Sequence, residues 1–148
     1  MKKIILISLI LAPLISLGQL VTTSGSAANM VQNVLLGSGV TVSNITYSGS
    51  PAAIGSFTAN NTNLGLSSGV IITTGTISGS GGPQGPNNVE NSGVDNGIGG
   101  YGPLNSIAGA ATYNAAVVAF DFIPFSDSVE FRYVFGSEEW LEFVGSTY

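Results

Sequence analysis

The chain has 148 residues, 44% of them hydrophobic and 7% charged, with no Cys, no His and a formal net charge of −5. That is enough length for one domain with a real core. The missing residue types exclude a disulfide scaffold, His-based catalysis and the commonest zinc ligands. If the N-terminal segment takes Lys2 and Lys3 away with it, Arg132 alone faces eight acids and the charge moves from −5 to −7. Nothing is then left to neutralise phosphates, which excludes nucleic acid as a partner.

The first stretch, MKKIILISLILAPLISLGQ, has the pattern of a secretory signal peptide. Lys2 and Lys3 supply the positive start, Ile4 to Leu11 the apolar run, and Ser16-Leu17-Gly18 the small residues before a cut between Gly18 and Gln19. Pro13 interrupts the run, which is too short for a hydrocarbon core about 30 Å thick. Residues 1–18 are therefore expected to be removed, leaving a domain over 19–148 with no membrane span. The chain also lacks the cysteine through which a bacterial lipoprotein is tethered. Abundant Gly, Ser, Thr and Asn suit a β-rich extracellular domain, and a mean hydropathy of +0.42 argues against disorder.

Gln19 to Gly25 reads as a polar lead-in. Ser26 can cap a helix whose apolar face is Ala27, Val31, Val34 and Leu35, with Met30 beside them and Gly37 as the stop. Val40 and Val42 alternate, and Ile45 and Tyr47 alternate one residue out of phase, which predicts a strand over Val40 to Tyr47 with a bulge near Ser43-Asn44. After a turn at Ser48 to Pro51 comes a short strand around Gly55 to Thr58, then a loop at Asn60 to Asn63. GVIITT (Gly69 to Thr74) is expected as a buried strand.

Residues of about 76–109 change character, to Gly, Pro and Asn punctuation without apolar period. A connection of that length is either functional or mobile. It is not a phosphate-binding loop, since the glycine spacing is wrong and no lysine is present. Leu104 to Ala111 is small and apolar, enough for one helical turn. Ala116, Val118, Phe120 and Phe122 then share one strand face. Pro124 to Asp127 turns the chain, and Val129, Phe131, Tyr133 and Phe135 alternate with Glu130, Arg132 and Val134. These two runs predict an antiparallel hairpin whose first strand is central. Glu130 and Arg132 share a face as a solvated pair, which Asp121 could extend.

Ser137-Glu138-Glu139 with Glu142 is the densest acidic cluster. Calcium takes six to eight oxygen ligands from such carboxylate and carbonyl loops, so Glu138, Glu139 and Glu142 are calcium candidates. Asp95, with Asn96 and Asn88, would contribute if the long loop folds over. The competing reading is a solvated acidic surface, and no EF-hand or nonapeptide signature supports the metal. Calcium is accordingly the only cofactor considered. Paired carboxylates such as Glu138 and Glu142, or Asp121 and Glu139, could serve a glycosidase. Trp140 and a few tyrosines are the only sugar-stacking platforms, so no catalytic residue is assigned. A serine nucleophile would lack a base, because the mature chain has no lysine. Asn44-Ile-Thr46 and Asn60-Asn-Thr62 match glycosylation acceptors but read as ordinary strand and turn residues.

Three stretches together resemble the choice-of-anchor L domain of secreted bacterial proteins: Met30 to Gly49, Ile54 to Gly75, and Thr112 to Tyr148. The last is the most specific, with a phenylalanine-rich run ending in FGSEEW. The resemblance implies a β-rich extracellular module near the N-terminus of a longer exported protein, with no established enzyme activity. Family members continue past FGSEE into another strand, so the resemblance implies a C-terminally truncated domain whose apolar edge near Phe135 or Phe143 is exposed. A glutamine after the cut resembles the Bacteroidetes style of export. It implies outer-membrane sorting machinery as a partner, reached through an absent C-terminal region. The expectation is a mainly β, antiparallel sandwich-like domain with one short N-terminal helix, incomplete at its C-terminus. It would act as a secreted or cell-surface structural or adhesive module, with an extracellular glycan or matrix component as the ligand class.

Overall fold

A computed structural model of the chain describes residues 19–37, 39–60, 62–78, 94–137 and 145. The described residues form five strands in two antiparallel sheets, with short helices between them. One sheet has the order β1-β3-β4, from Gln19–Ser24, Ile54–Asn60 and Ser68–Ile72. The other pairs β2 (Val40–Ser48) with β5 (Val117–Pro124). The expected class, mainly β and antiparallel with a short helix, is what the chain adopts.

The helix starts where the sequence places it. Ser26 is extended (φ −73°, ψ 149°) and its Oγ accepts from the Asn29 N–H at 3.3 Å, capping α1 (Ala27–Met30). The helix then widens into a π-turn over Val31–Leu35, where the Leu36 N–H reaches back to the Val31 carbonyl at 3.2 Å. A π-turn holds more residues per turn than an α-turn, so side chains beyond it rotate around the axis. Ala27, Met30 and Val31 are consequently buried, whereas Val34 and Leu35, expected on the same face, are exposed.

Both sheets meet on this helix. Ala27, Met30 and Ile54 form the buried centre, and Ile45 and Tyr47 of β2, Val70 of β4 and Val118 of β5 pack around it. Strand β3 lies between two partners, which is why Ile54, Gly55, Phe57 and Ala59 are buried along it. Gly55 is required there, since a Cβ would run into the Thr23 carbonyl and Ile77 Cδ1. After β4 the chain folds back: the Thr73 N–H donates to the Ala53 carbonyl at 3.0 Å and the Ile77 N–H to Ala52 at 2.9 Å. This return buries Ile77, whose carbonyl accepts from the Thr22 hydroxyl.

The bulge in β2 is present. Its register with β5 shifts between Ser43 and Thr46, and Asn44 sits in the left-handed region at φ 53°. Val40, Val42, Ile45 and Tyr47 remain the inward side chains, so the bulge absorbs the phase slip seen in the sequence.

Four expectations are corrected. The lead-in Gln19–Ser24 is a strand, paired antiparallel with β3 from Gln19↔Asn60 to Ser24↔Gly55. Among the described residues the strand within GVIITT is an edge strand flanked only by β3, with Ile72 45% exposed. Among the described residues β5 is not central and forms no hairpin with 128–137. Its ladder partner is β2, from Val40↔Pro124 to Ser48↔Val117, and the Phe125 N–H extends the pairing to the Gly39 carbonyl at 3.0 Å. Residues 128–137 form no strand. The helix expected from Leu104 is α2 (Gly102–Ala108), started by Pro103 in its first turn and ended by Gly109 at φ 66°.

Candidate functional site

Of the calcium candidates only Asp95 and its neighbour Asn96 lie among the described residues. Glu138, Glu139 and Glu142 lie outside them, as do Asn88, Trp140, Phe143 and the Gly18 side of the expected cleavage site. Asp95 belongs to a polar knot that ties residues 94–101 to the segment before β5. Its Oδ1 accepts from the Gly97 N–H at 2.8 Å, closing a turn in which Gly97 takes φ 63°. That bond, followed by one from the Asn114 side chain, holds the Asp95 carboxyl below its ordinary range.

Further polar atoms of the knot are engaged. Asn96 Nδ2 donates to the carbonyls of Thr74 (3.1 Å) and Gly75 (2.6 Å). Asn114, left-handed at φ 54°, accepts from the Ile98 N–H through Oδ1 (3.2 Å) and donates its own N–H to the Ile98 carbonyl (2.7 Å). Asn105 Oδ1 accepts from both the Thr112 N–H (2.7 Å) and its hydroxyl (2.6 Å). Gly100 fits against Thr112 where a Cβ would strike the Thr112 carbonyl. Asp95 is therefore brought to the Gly97 amide and Asn114 rather than to a second acid. Among the described residues no group of three His, Cys, Asp or Glu could hold a metal ion.

Asp121 and Arg132 have separate partners. Asp121 Oδ2 accepts from Asn44 Nδ2 at 2.6 Å, across the bulge, and Arg132 donates to the Gly65 carbonyl at 3.3 Å. The network imagined between Asp121, Glu130 and Arg132 is replaced by these two contacts. The reason is topological: Asp121 lies on a strand whose ladder neighbour is β2, opposite Ser43.

Sequence reading assigned to the core a surface that the fold leaves open. Phe120 and Phe122 stand 6.2 Å apart, and Phe131 meets Phe122 edge-on at 6.0 Å and 75°. Beyond them Phe125 is 69%, Phe131 54%, Tyr133 84% and Phe135 85% exposed. Phe135 is exposed, but 128–137 carry no strand, so it is not the edge of one as expected, and Phe143 lies outside the described residues; the alternation of Val129 to Phe135 points to a core strand that the fold does not form.

Such a chain is a β-rich module with a small shared core, a polar knot and an open aromatic face, and among its described residues no helix is long and apolar enough to cross a membrane. The family model for the choice-of-anchor L domain matches residues 19–148, and the chain belongs to that family. The family suggests an extracellular or surface-associated protein, and its domains are generally non-enzymatic. No curated protein and no solved structure matches the chain.

Proposed function

We propose that this chain is a non-catalytic structural or adhesive module of a larger exported protein, working at the cell surface through its aromatic face. The observation that carries the reading is a run of exposed aromatic side chains from the end of β5 onward, Phe122, Phe125, Phe131, Tyr133 and Phe135, of which Phe122 and Phe131 meet edge-on. Exposed apolar side chains in such number mark contact surfaces where they adjoin. The signal-peptide pattern of residues 1–18 and the family's surface association support the location.

The test is an array of glycans and extracellular-matrix proteins probed with the exported chain and with a Phe131→Ser, Tyr133→Ser variant. The reading expects retained binding by the parent chain and loss in the variant, with both folded by circular dichroism. Binding that ignores the substitutions, or no binding to any surface, overturns adhesion. A calcium-dependent version rests on Glu138, Glu139 and Glu142 with Asp95. Titration calorimetry that finds neither heat nor a shift in melting temperature on adding calcium removes it.

A further inference from the structure

Asn96-Gly97 is the only Asn-Gly pair in the chain. Asparagine is thermolabile, and most so before glycine, where no side chain shields the following backbone nitrogen. In the reaction the Gly97 nitrogen, having lost its proton, bonds to Asn96 Cγ and ammonia leaves. Water then opens the resulting imide at one of its two carbonyls. The product is aspartate or isoaspartate, so one neutral amide becomes one carboxylate with no oxidant or cofactor involved.

The fold holds both reacting groups away from this path. The Gly97 N–H is donated to the Asp95 carboxylate at 2.8 Å, which opposes loss of that proton. Asn96 Nδ2 is donated to the Thr74 and Gly75 carbonyls, which fixes the side chain toward the turn after β4. We propose that Asn96-Gly97 is a latent self-modification site, held shut by these bonds, whose hydrolytic deamidation irreversibly opens the clasp between residues 94–101 and the turn after β4. The product would place a carboxylate, with no proton to donate at neutral pH, against the same two carbonyl oxygens and next to Asp95. An isoaspartate would also lengthen the backbone beside Ile98, whose N–H and carbonyl both bond Asn114.

The test incubates the full chain at mildly alkaline pH, in buffer and in urea, and follows Asn96 by peptide mapping and mass spectrometry. Conversion in the folded chain is expected to be at least about tenfold slower than in urea, as for any group reached only through local opening. Asp95→Ala should speed conversion in buffer and leave the rate in urea unchanged. Asn96→Asp, which mimics one product, should lose hydrogen-exchange protection at the Ile98 and Asn114 amides. Equal rates in buffer and urea overturn the proposal, as does a folded-state rate indifferent to Asp95→Ala or unchanged protection in Asn96→Asp.

Discussion

Asn44 shows how one residue can set the geometry of a sheet. At φ 53° it occupies a conformation that costs most L-residues roughly 1–2 kcal/mol. Its side chain also donates to Asp121 at 2.6 Å across the strand pair. Asn44→Ala should therefore lower the free energy of unfolding in urea by about 1–2 kcal/mol, combining backbone strain with the lost bond. Asn44→Gly should cost less, because glycine accepts the left-handed conformation and only the side-chain bond is lost. Equal losses would place the whole effect in the Asp121 contact.

Tyr47 carries a pH dependence. Burial against the helix raises its phenol above the ordinary value, and the hydroxyl donates to the Ser50 carbonyl at 2.7 Å. Because the folded value lies above the unfolded one, near ~10, the unfolded chain loses its proton first. The contribution is fully present below the unfolded value and lost as pH rises through it toward the folded one. Melting curves of the parent chain should therefore fall in the alkaline range more steeply than those of Tyr47→Phe. Parallel curves would show that the phenol titrates alike in both states.

At the scale of elements, the local signals were legible and the long-range ones were not. The Ser26 cap, the β2 phase slip and the strand around Phe57 each depend on neighbours a few residues away, so spacing alone reveals them. β1 was hidden because QLVTTS carries little apolar alternation, and its pairing with β3 depends on residues over thirty positions later. The hairpin reading failed for the same reason. Consecutive strands usually pair, but β5 reached back across the chain to β2 and left 128–137 without a ladder. The acidic candidates were legible as a composition, while Asp95's actual partners, a backbone amide and Asn114, leave no trace in spacing.

The π-turn gives this level its own test. A continuous α-helix would bury Val34 on the face of Met30, whereas the wider turn leaves Val34 36% exposed and Met30 at 3%. Met30→Ala should cost about 2–5 kcal/mol by denaturant unfolding, the range for emptying a core site. Val34→Ser should stay within about 0.5 kcal/mol, as surface changes do. Comparable losses at both positions would restore the regular helix.

For the molecule as a whole, the balance between core and surface decides behaviour. Among the described residues eight hydrophobic side chains are buried, while Phe125, Phe131, Tyr133 and Phe135 expose on the order of 500 Å² of aromatic surface, taking about 150–250 Å² for each side chain. A typical monomer's largest apolar patch is about 300–600 Å², and the area these four side chains expose together falls within that range. β5 adds a strand whose other edge is unpaired among the described residues, and open edges of apolar strands template pairing with other chains. Residues 19–148 should therefore self-associate as concentration rises, measured as a growing mass by light scattering behind size exclusion. Excluded salts such as sulfate should enhance it, because they strengthen apolar burial. Phe131→Ser with Phe135→Ser should shift the distribution toward monomer, while Ile107→Ser, equally exposed on α2 but apart from the row, should not. A monodisperse monomer at high concentration would mean that the aromatic row is closed in solution, and the adhesive reading would lose its surface with it.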